Sequence, residues 1–255
     1  SDKILVEFVS ANPTGPLHLA SGRGATLGDA LVRILKRLGR EAASEYYVND
    51  TGGRVELLGL SAKARHEQLY GKDTPLPASG YQGDYLKDIA AGAPAEASSW
   101  DGSAWGRYTM GLLLESHKKD MEAFGAHFDR WFYESELHRQ GAVEKTLLSL
   151  KERGMVYEKD GALWLGTSSS GAEDDKDRVL VKSSGQPTYF LPDIAYHKDK
   201  FDRGFSKLID IFGADHHGYV PRMRAAIAAL GFPPNSYHAI VHQLIHLYRG
   251  KEAVK

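Results

Sequence analysis

With 255 residues, 42% of them apolar and 25% charged, the chain is long enough to bury a sizeable core and has the composition of an ordinary globular domain, or of one domain with an insertion. It contains no cysteine, which excludes disulfides and thiolate metal sites, and no stretch approaches the roughly 18 apolar residues of a membrane helix. A formal net charge of −1 lacks the basic footprint of a protein that grips a long RNA by itself, so RNA contact is expected on a local patch or outside this sequence.

Taken in order, Ile4, Val6 and Phe8 alternate as a strand, and Asn12-Pro13-Thr14-Gly15-Pro16 breaks it. Leu27, Leu31, Ile34, Leu35 and Leu38 then repeat at helical spacing, with Gly39 placed to stop the helix. A second strand is expected over Ala42–Val48, a turn over 49–53, and a helix carrying Val55, Leu57, Leu58 and Leu60. This β-α-β-α alternation predicts a parallel sheet covered by helices. A Pro/Gly/Ser-rich loop (71–80), a short helix over Tyr85–Ala91 and an unperiodic stretch (92–103) follow. A long helix is expected from about Trp105, with Tyr108, Leu112, Leu113, Met121 and Phe124 on one stripe. A strand-like run (128–133), a helix near 140–153, and two strands at Ala162–Leu165 and Arg178–Lys182 around a polar turn come next. Residues 105–185 thus break the rhythm and read as an insertion. The rhythm resumes with Thr188–Ala195, a strand at Leu208–Phe212, a helix from Val220 to Leu230, and a last strand at Ala239–Leu247.

The chemistry-bearing residues gather at the first strand end. Glu7, Ser10, Asn12 and His18 put four polar side chains along one strand end and turn, and a helix N-terminus beyond them offers free N–H groups to an anion. Glu7 is either a surface carboxylate or one aimed into a crevice, where it would suit a cation. Tyr189 and Asp193, four residues apart, read as a packed phenol and an N-cap or as a pair of ligands. Gly213-Ala214-Asp215-His216 at a strand end suits an adenosine, with glycine for close approach and aspartate for ribose hydroxyls. His216, His217, His238, His242 and His246 do not make the spacing of a zinc site, and no metal is expected on them.

These residues also carry a resemblance. Glu7-Phe-Val-Ser-Ala-Asn-Pro-Thr-Gly-Pro-Leu-His18 followed by Gly22-Arg23-Gly24 is similar to the signature region of class I aminoacyl-tRNA synthetases in its arginyl form. Glu45-Tyr46-Tyr47-Val48-Asn49-Asp50, Gly80-Tyr81-Gln82-Gly83-Asp84-Tyr85, Tyr189–His197 and Gly213–Tyr219 agree with it. The likeness covers essentially the whole chain. It implies an α/β fold: a Rossmann-like doubly wound parallel sheet with an inserted α+β connective subdomain. Residues 1–104 would form the first half of the nucleotide-binding fold, 105–185 the insertion and 186–255 the second half. The turns at 10–18, 49–53 and 213–217 would open on the edge where such sheets bind ligands.

The implied activity is activation of L-arginine by ATP, with Mg²⁺ on the nucleotide, and ligation to tRNA(Arg) through arginyl-adenylate, in a cytoplasmic monomer with no membrane attachment. Carried over residue by residue, Glu7, Ser10, Asn12, His18, Tyr189, Asp193 and His216 would hold arginine. His18, Ala20, Ser21, Gly24, Gly213 and Asp215 would hold ATP, and His18, Ser21 and Lys255 would act in catalysis. Lys255 would be the first lysine of a Lys-Met-Ser-Lys loop, and the family's additional N-terminal and anticodon-binding domains would lie outside this sequence. One departure is plain: His-x-Gly-His of the family is His18-Leu19-Ala20-Ser21 here. A methyl group replaces the flat glycine surface, and a hydroxyl replaces an imidazole that can carry charge. That departure keeps open a synthetase-like module that binds arginine or nucleotide without ligating. Another nucleotidyl transferase on the same fold is the remaining alternative, and the arginine-pocket residues argue against it.

Overall fold

The computed structural model describes residues 2–167, 176–214, 218–243, 245, 247–250 and 252–254. Five parallel strands form the central sheet in the order β3-β2-β1-β7-β8: β1 (Lys3–Phe8), β2 (Glu41–Val48), β3 (Arg130–Tyr133), β7 (Lys207–Gly213) and β8 (Tyr237–His242). Winding reverses between β1 and β7, so the crevice beyond their carboxyl ends is the ligand-binding edge of such a sheet.

Alternation along the strands separates two faces. Ile4, Val6 and Phe8 pack with Val32 of α1 (Leu19–Arg37) and Ile211 of β7. Leu5 and Leu208 point the other way, into a larger core shared with α7 (Phe190–Asp202) and α8 (Tyr219–Ala229). Glu7 and Asp210 share that second face by parity.

Several expectations change. The stripe used to predict α1 faces the sheet only in part: Leu31 and Leu35 pack against the core of Ile4, Val6 and Phe8, Leu27, Ile34 and Leu38 are exposed, and Gly24, Ala25, Gly28 and Val32 make the buried contact. A side chain on Gly28 would overlap the Phe8 ring, so small residues are what allow α1 to lie this close to β1. Gly39 does stop α1, at φ 74°. The expected strand region Thr188–Ala195 is the start of helix α7 from Phe190 on. Its buried Phe190, Leu191, Ile194, Ala195, His197 and Phe201 follow a helical period, and Pro192 falls in the first turn, where a missing N–H costs nothing. The last strand ends at His242 rather than 247, and β9 (Leu247–Arg249) and β10 (Glu252–Val254) form an antiparallel pair.

In the middle section, α4 (Gly102–Phe124) matches the expected long helix and packs on α2 (Gly53–Leu69). The strand-like run is β3, which pairs with β2 in the central sheet although it falls inside the stretch read as inserted. The short α3 (Tyr85–Ala91) is as read, while α5 (Glu134–Arg139) and α6 (Ala142–Glu152) divide the second helix. The hairpin gains a strand: β4 (Val156–Lys159), β5 (Ala162–Leu165) and β6 (Arg178–Val181) form a separate antiparallel sheet. Leu165 and Leu180 of that sheet lie in the same core as Ile194 and Leu208.

Candidate functional site

A cleft of about 230 Å³ opens at the switch point, lined by Glu7, Ser10, Tyr47, Asp193, His197, Asp210 and Tyr219 among others. Its floor is a row of carboxylates. Parallel register puts Glu7 of β1 beside Glu45 of β2 on one side and Asp210 of β7 on the other. Glu45 and Asp210 are buried, and buried carboxylates require partners.

Helix α7 supplies them. Lys200, 1% exposed, donates to Glu7 Oε2 at 2.5 Å and to Asp210 Oδ1 at 3.1 Å. Arg203 forks onto Glu45 at 2.7 and 2.8 Å, and the Tyr196 hydroxyl donates to the same carboxylate at 2.8 Å. His197 Nε2 lies 2.9 Å from Asp210 Oδ2, and its Nδ1 lies 2.8 Å from the Asp193 carbonyl. Burial alone would raise the Asp210 carboxyl, but Lys200 and His197 override it and hold it well below the carboxylate range. Burial alone would lower the Lys200 ammonium, and Asp210 and Glu7 push it up instead.

Asp193 is the exception. Desolvation pushes its carboxyl up to about 7, with Glu134 and Glu7 adding like charge; His197 and a hydrogen bond from Tyr219 only partly oppose this. Among the described residues no lysine or arginine pairs with it. The cleft therefore has a floor whose charges are matched and one carboxylate in its wall that a bound cation would complete.

The end of β1 is built unusually. Val9 and Ser10 hold positive φ, 67° and 41°, a region that a β-branched residue enters only under strain. This pair turns Ser10 inward. Its hydroxyl donates to Glu7 Oε1 at 2.8 Å and accepts the Tyr47 N–H at 3.0 Å, replacing the ladder partner that β2 loses where β1 stops. Beyond it, His18 sits at the N-cap of α1 with no side-chain cap bond and is exposed, as is Asn12. Ala20 and Ser21 follow in the first turn, half-buried, and Gly24 is buried against the Val9 backbone and His242.

The structure thus brings Glu7, Ser10 and Asp193 together and places Gly213 at the end of β7. Asn12 and His18 are exposed and are not among the residues lining the cleft. Tyr189 is not brought in: it is 84% exposed and lines a neighbouring groove with Thr51, Glu134 and Lys182. It stands at the N-cap of α7. Asp215, His216 and Lys255 lie outside the described residues. The same holds for His217 and His246; among the described residues no group of three His, Asp or Glu is arranged to hold a metal ion, and no helix is long and apolar enough to cross a membrane.

Sequence reading missed Glu45, His197, Lys200, Arg203 and Asp210. The signal was present in two parts: acidic residues at matching positions of three apolar strands, and basic residue types at 197, 200 and 203, three apart in sequence.

Comparison with known proteins agrees with this fold. No family model matches. The chain is 54% identical over 254 residues to an arginine–tRNA ligase of Elusimicrobium minutum, covering all of this chain and 46% of the relative. It is 45% identical over 264 residues to the Bacillus subtilis arginine–tRNA ligase, covering all of this chain and 47% of that protein. A solved structure described as an arginyl-tRNA synthetase from Campylobacter jejuni superposes with a TM-score of 0.92 at 39% identity, over all of this chain and 57% of that one. The Thermus thermophilus arginyl-tRNA synthetase, at 23% identity and a TM-score of 0.72 over 95% of this chain, shows the same fold. The chain spans about half the length of the curated relatives it matches. Over the whole of its own length it is similar to arginyl-tRNA synthetases.

Proposed function

We propose that this chain carries the amino-acid and nucleotide sites of an enzyme that activates L-arginine with ATP and ligates it to tRNA(Arg). The observation that carries the reading is Asp193: a desolvated carboxylate that no lysine or arginine among the described residues pairs with, in the wall of a cleft whose other lining carboxylates are already matched. A guanidinium meets a carboxylate through two parallel N–H donors, which separates arginine from lysine.

Glu7 then contributes field and shape rather than a free charge, because Lys200 and Ser10 already occupy its oxygens. Ser10 and Asn12 line the way from the cleft to the rim, where the α-amino and carboxyl ends of arginine would lie. There the arginine carboxylate attacks the α-phosphorus of ATP and pyrophosphate leaves; the terminal ribose hydroxyl of tRNA next attacks the adenylate carbonyl and AMP leaves. Mg²⁺ carried by the nucleotide would supply screening of its phosphates. No side chain forms a covalent bond. Catalysis is positioning plus stabilisation of negative charge, a role assigned to His18, at the N-cap of α1 with its side chain free of a cap bond, and to the N–H groups that open the helix. Gly24, against the Val9 backbone, and Gly213, at the end of β7, are the glycines this reading assigns to the adenosine.

A second reading rests on Ala20 and Ser21, which stand in the first turn of α1 where a glycine and a histidine would favour ATP: a module that binds arginine without activating it. Arginine-dependent ATP–pyrophosphate exchange by the full-length protein, with tRNA present, tests both. Exchange supports the enzyme; tight arginine binding with no exchange supports the module; no arginine binding removes both.

A further inference from the structure

The turn between β1 and α1 is held from outside by three side chains. The Tyr85 hydroxyl of α3 donates to the Thr14 carbonyl at 2.5 Å. Tyr46 of β2 donates to the Ala11 carbonyl at 2.9 Å. His117, fully buried in the middle of α4, places Nε2 2.7 Å from the Gly15 carbonyl and Nδ1 3.1 Å from the Tyr46 hydroxyl.

Counting protons shows what is unusual. Two carbonyls and one phenol–imidazole contact make three links. The Tyr46 hydroxyl has a single proton and stands between two acceptors, Ala11 O and His117 Nδ1. A neutral imidazole brings one proton and an imidazolium brings two. With a neutral ring, two protons serve three links. With a protonated ring, Nε2–H serves Gly15, Nδ1–H serves the phenol oxygen, and the phenol proton is committed to Ala11.

We propose that His117 is a positioning residue for the turn 11–16, which carries Asn12 and leads to His18, and that the His117–Tyr46 pair holds this turn by three links when the ring is doubly protonated and by two when it is neutral. In the neutral state the short Gly15 link keeps the ring proton. The phenol proton is then shared between Ala11 and Nδ1, so the end that loosens is Ala11–Asn12. The titratable groups acting on the ring are Asp120, on its own helix, and the Tyr46 phenol from β2; the turn itself presents backbone carbonyls. Burial lowers the ring's pKa, opposed by the Gly15 carbonyl and by Asp120, which puts the change on the acid side of the ordinary histidine range. The proposal rests on the functional reading above only for what the turn does; the clamp itself is testable without any ligand.

The test is NMR on the isotopically labelled chain, following the His117 ring nitrogens and the Ala11 carbonyl carbon from about pH 8 to about pH 5. The expected result is a ring that passes from one proton on Nε2 to two, with the Ala11 carbonyl moving at the same midpoint. In Tyr46→Phe the ring still titrates but the Ala11 movement is lost. His117→Gln keeps an N–H for Gly15 and has no titrating group, so there too the Ala11 carbonyl stays still while the amide spectrum shows the fold intact. A ring fixed in one form across this range overturns the proposal, as does an Ala11 carbonyl that follows pH in Tyr46→Phe as it does in the unaltered chain.

A second measurement separates the clamp from the function. Below the ring's midpoint, arginine should bind His117→Gln about 2- to 10-fold more weakly than the unaltered chain, the worth of one hydrogen bond, and equally well at about pH 8. Comparing the two proteins at each pH cancels the titration of Asp193. An unchanged ratio with the NMR coupling intact supports the clamp and removes the turn from arginine binding.

Discussion

Asp193 gives the site its sharpest residue-scale consequence. Desolvation and the neighbouring Glu134 and Glu7 carboxylates push it up to about 7, so near neutrality it is about half protonated, whereas a guanidinium pairs with the anion. Binding must therefore expel a proton. Arginine affinity is expected to fall as pH drops below about 7, approaching tenfold per unit, and to level off above it. Calorimetry in buffers of different ionisation heat reads the released proton directly; an affinity flat between about pH 5.5 and 8 sinks the assignment. Asp193→Asn should abolish the slope and weaken binding at alkaline pH. Lys200 is the companion case. Lys200→Met leaves Glu7 and Asp210 facing each other without their cation, which should cost about 3–5 kcal/mol of stability in urea unfolding. A loss under about 1 kcal/mol would mean that the carboxylate row is not held by charge. Glu7 was legible in the sequence because a charge stands out in an apolar strand. Lys200 was not, because it lies 193 positions away and only the β1–β7 register brings Asp210 beside Glu7. Tyr189 shows the converse: a residue matched by motif whose ring the fold leaves in solvent.

At the scale of elements, the existence of α1 was legible and its orientation only in part, Leu31 and Leu35 of the stripe packing on the sheet while Leu27, Ile34 and Leu38 do not. Large apolar residues set the apparent stripe, but the helix approaches Phe8 through glycine and alanine, whose contacts depend on closeness rather than size. The two faces make opposite predictions. Gly28→Ala forces a methyl group into the Phe8 ring and should destabilise by about 1–3 kcal/mol through overpacking. Leu27→Ala, on the exposed stripe, should stay within about 0.5 kcal/mol. Thermal or urea unfolding of the two variants checks this, and the reverse order would mean that α1 is rotated about its axis. Helix α7 was misread for a related reason. Phe190, Leu191, Ile194 and Ala195 form a short apolar run that strand and buried helix share, and the cations that mark its buried face begin only at His197.

Across the whole molecule, the β-α rhythm identified the parallel sheet because each half of it is local in sequence. The place of β3 was not readable: nothing in Arg130–Tyr133 says which strand it joins, and its pairing with β2 depends on how α4 packs on α2. Nor was it readable that the antiparallel sheet shares its core with the second half, Leu165 and Leu180 packing in one cluster with Ile194, Leu208 and Ile227. That shared core has a thermodynamic consequence. The cleft is walled by residues of β1, β2, β7, α7 and α8, and α7 is also what β6 of the antiparallel sheet packs against, within the same core as α8. A ligand that binds only the assembled cleft stabilises every element that must be folded to form it. At about 100 times its dissociation constant, L-arginine should add about 2.7 kcal/mol, raising the melting temperature by about 5–10 °C in a single transition. L-lysine, which cannot meet Asp193 with two parallel donors, should give much less at equal concentration. Differential scanning calorimetry distinguishes the outcomes. A single transition moved by arginine and not by lysine fits one cooperative core with a guanidinium site at its switch point. Two transitions, of which arginine moves one, would mean that the antiparallel sheet folds apart from the cleft despite its shared side chains. No movement at any arginine concentration would mean that the unmatched carboxylate of Asp193 does not select this cation.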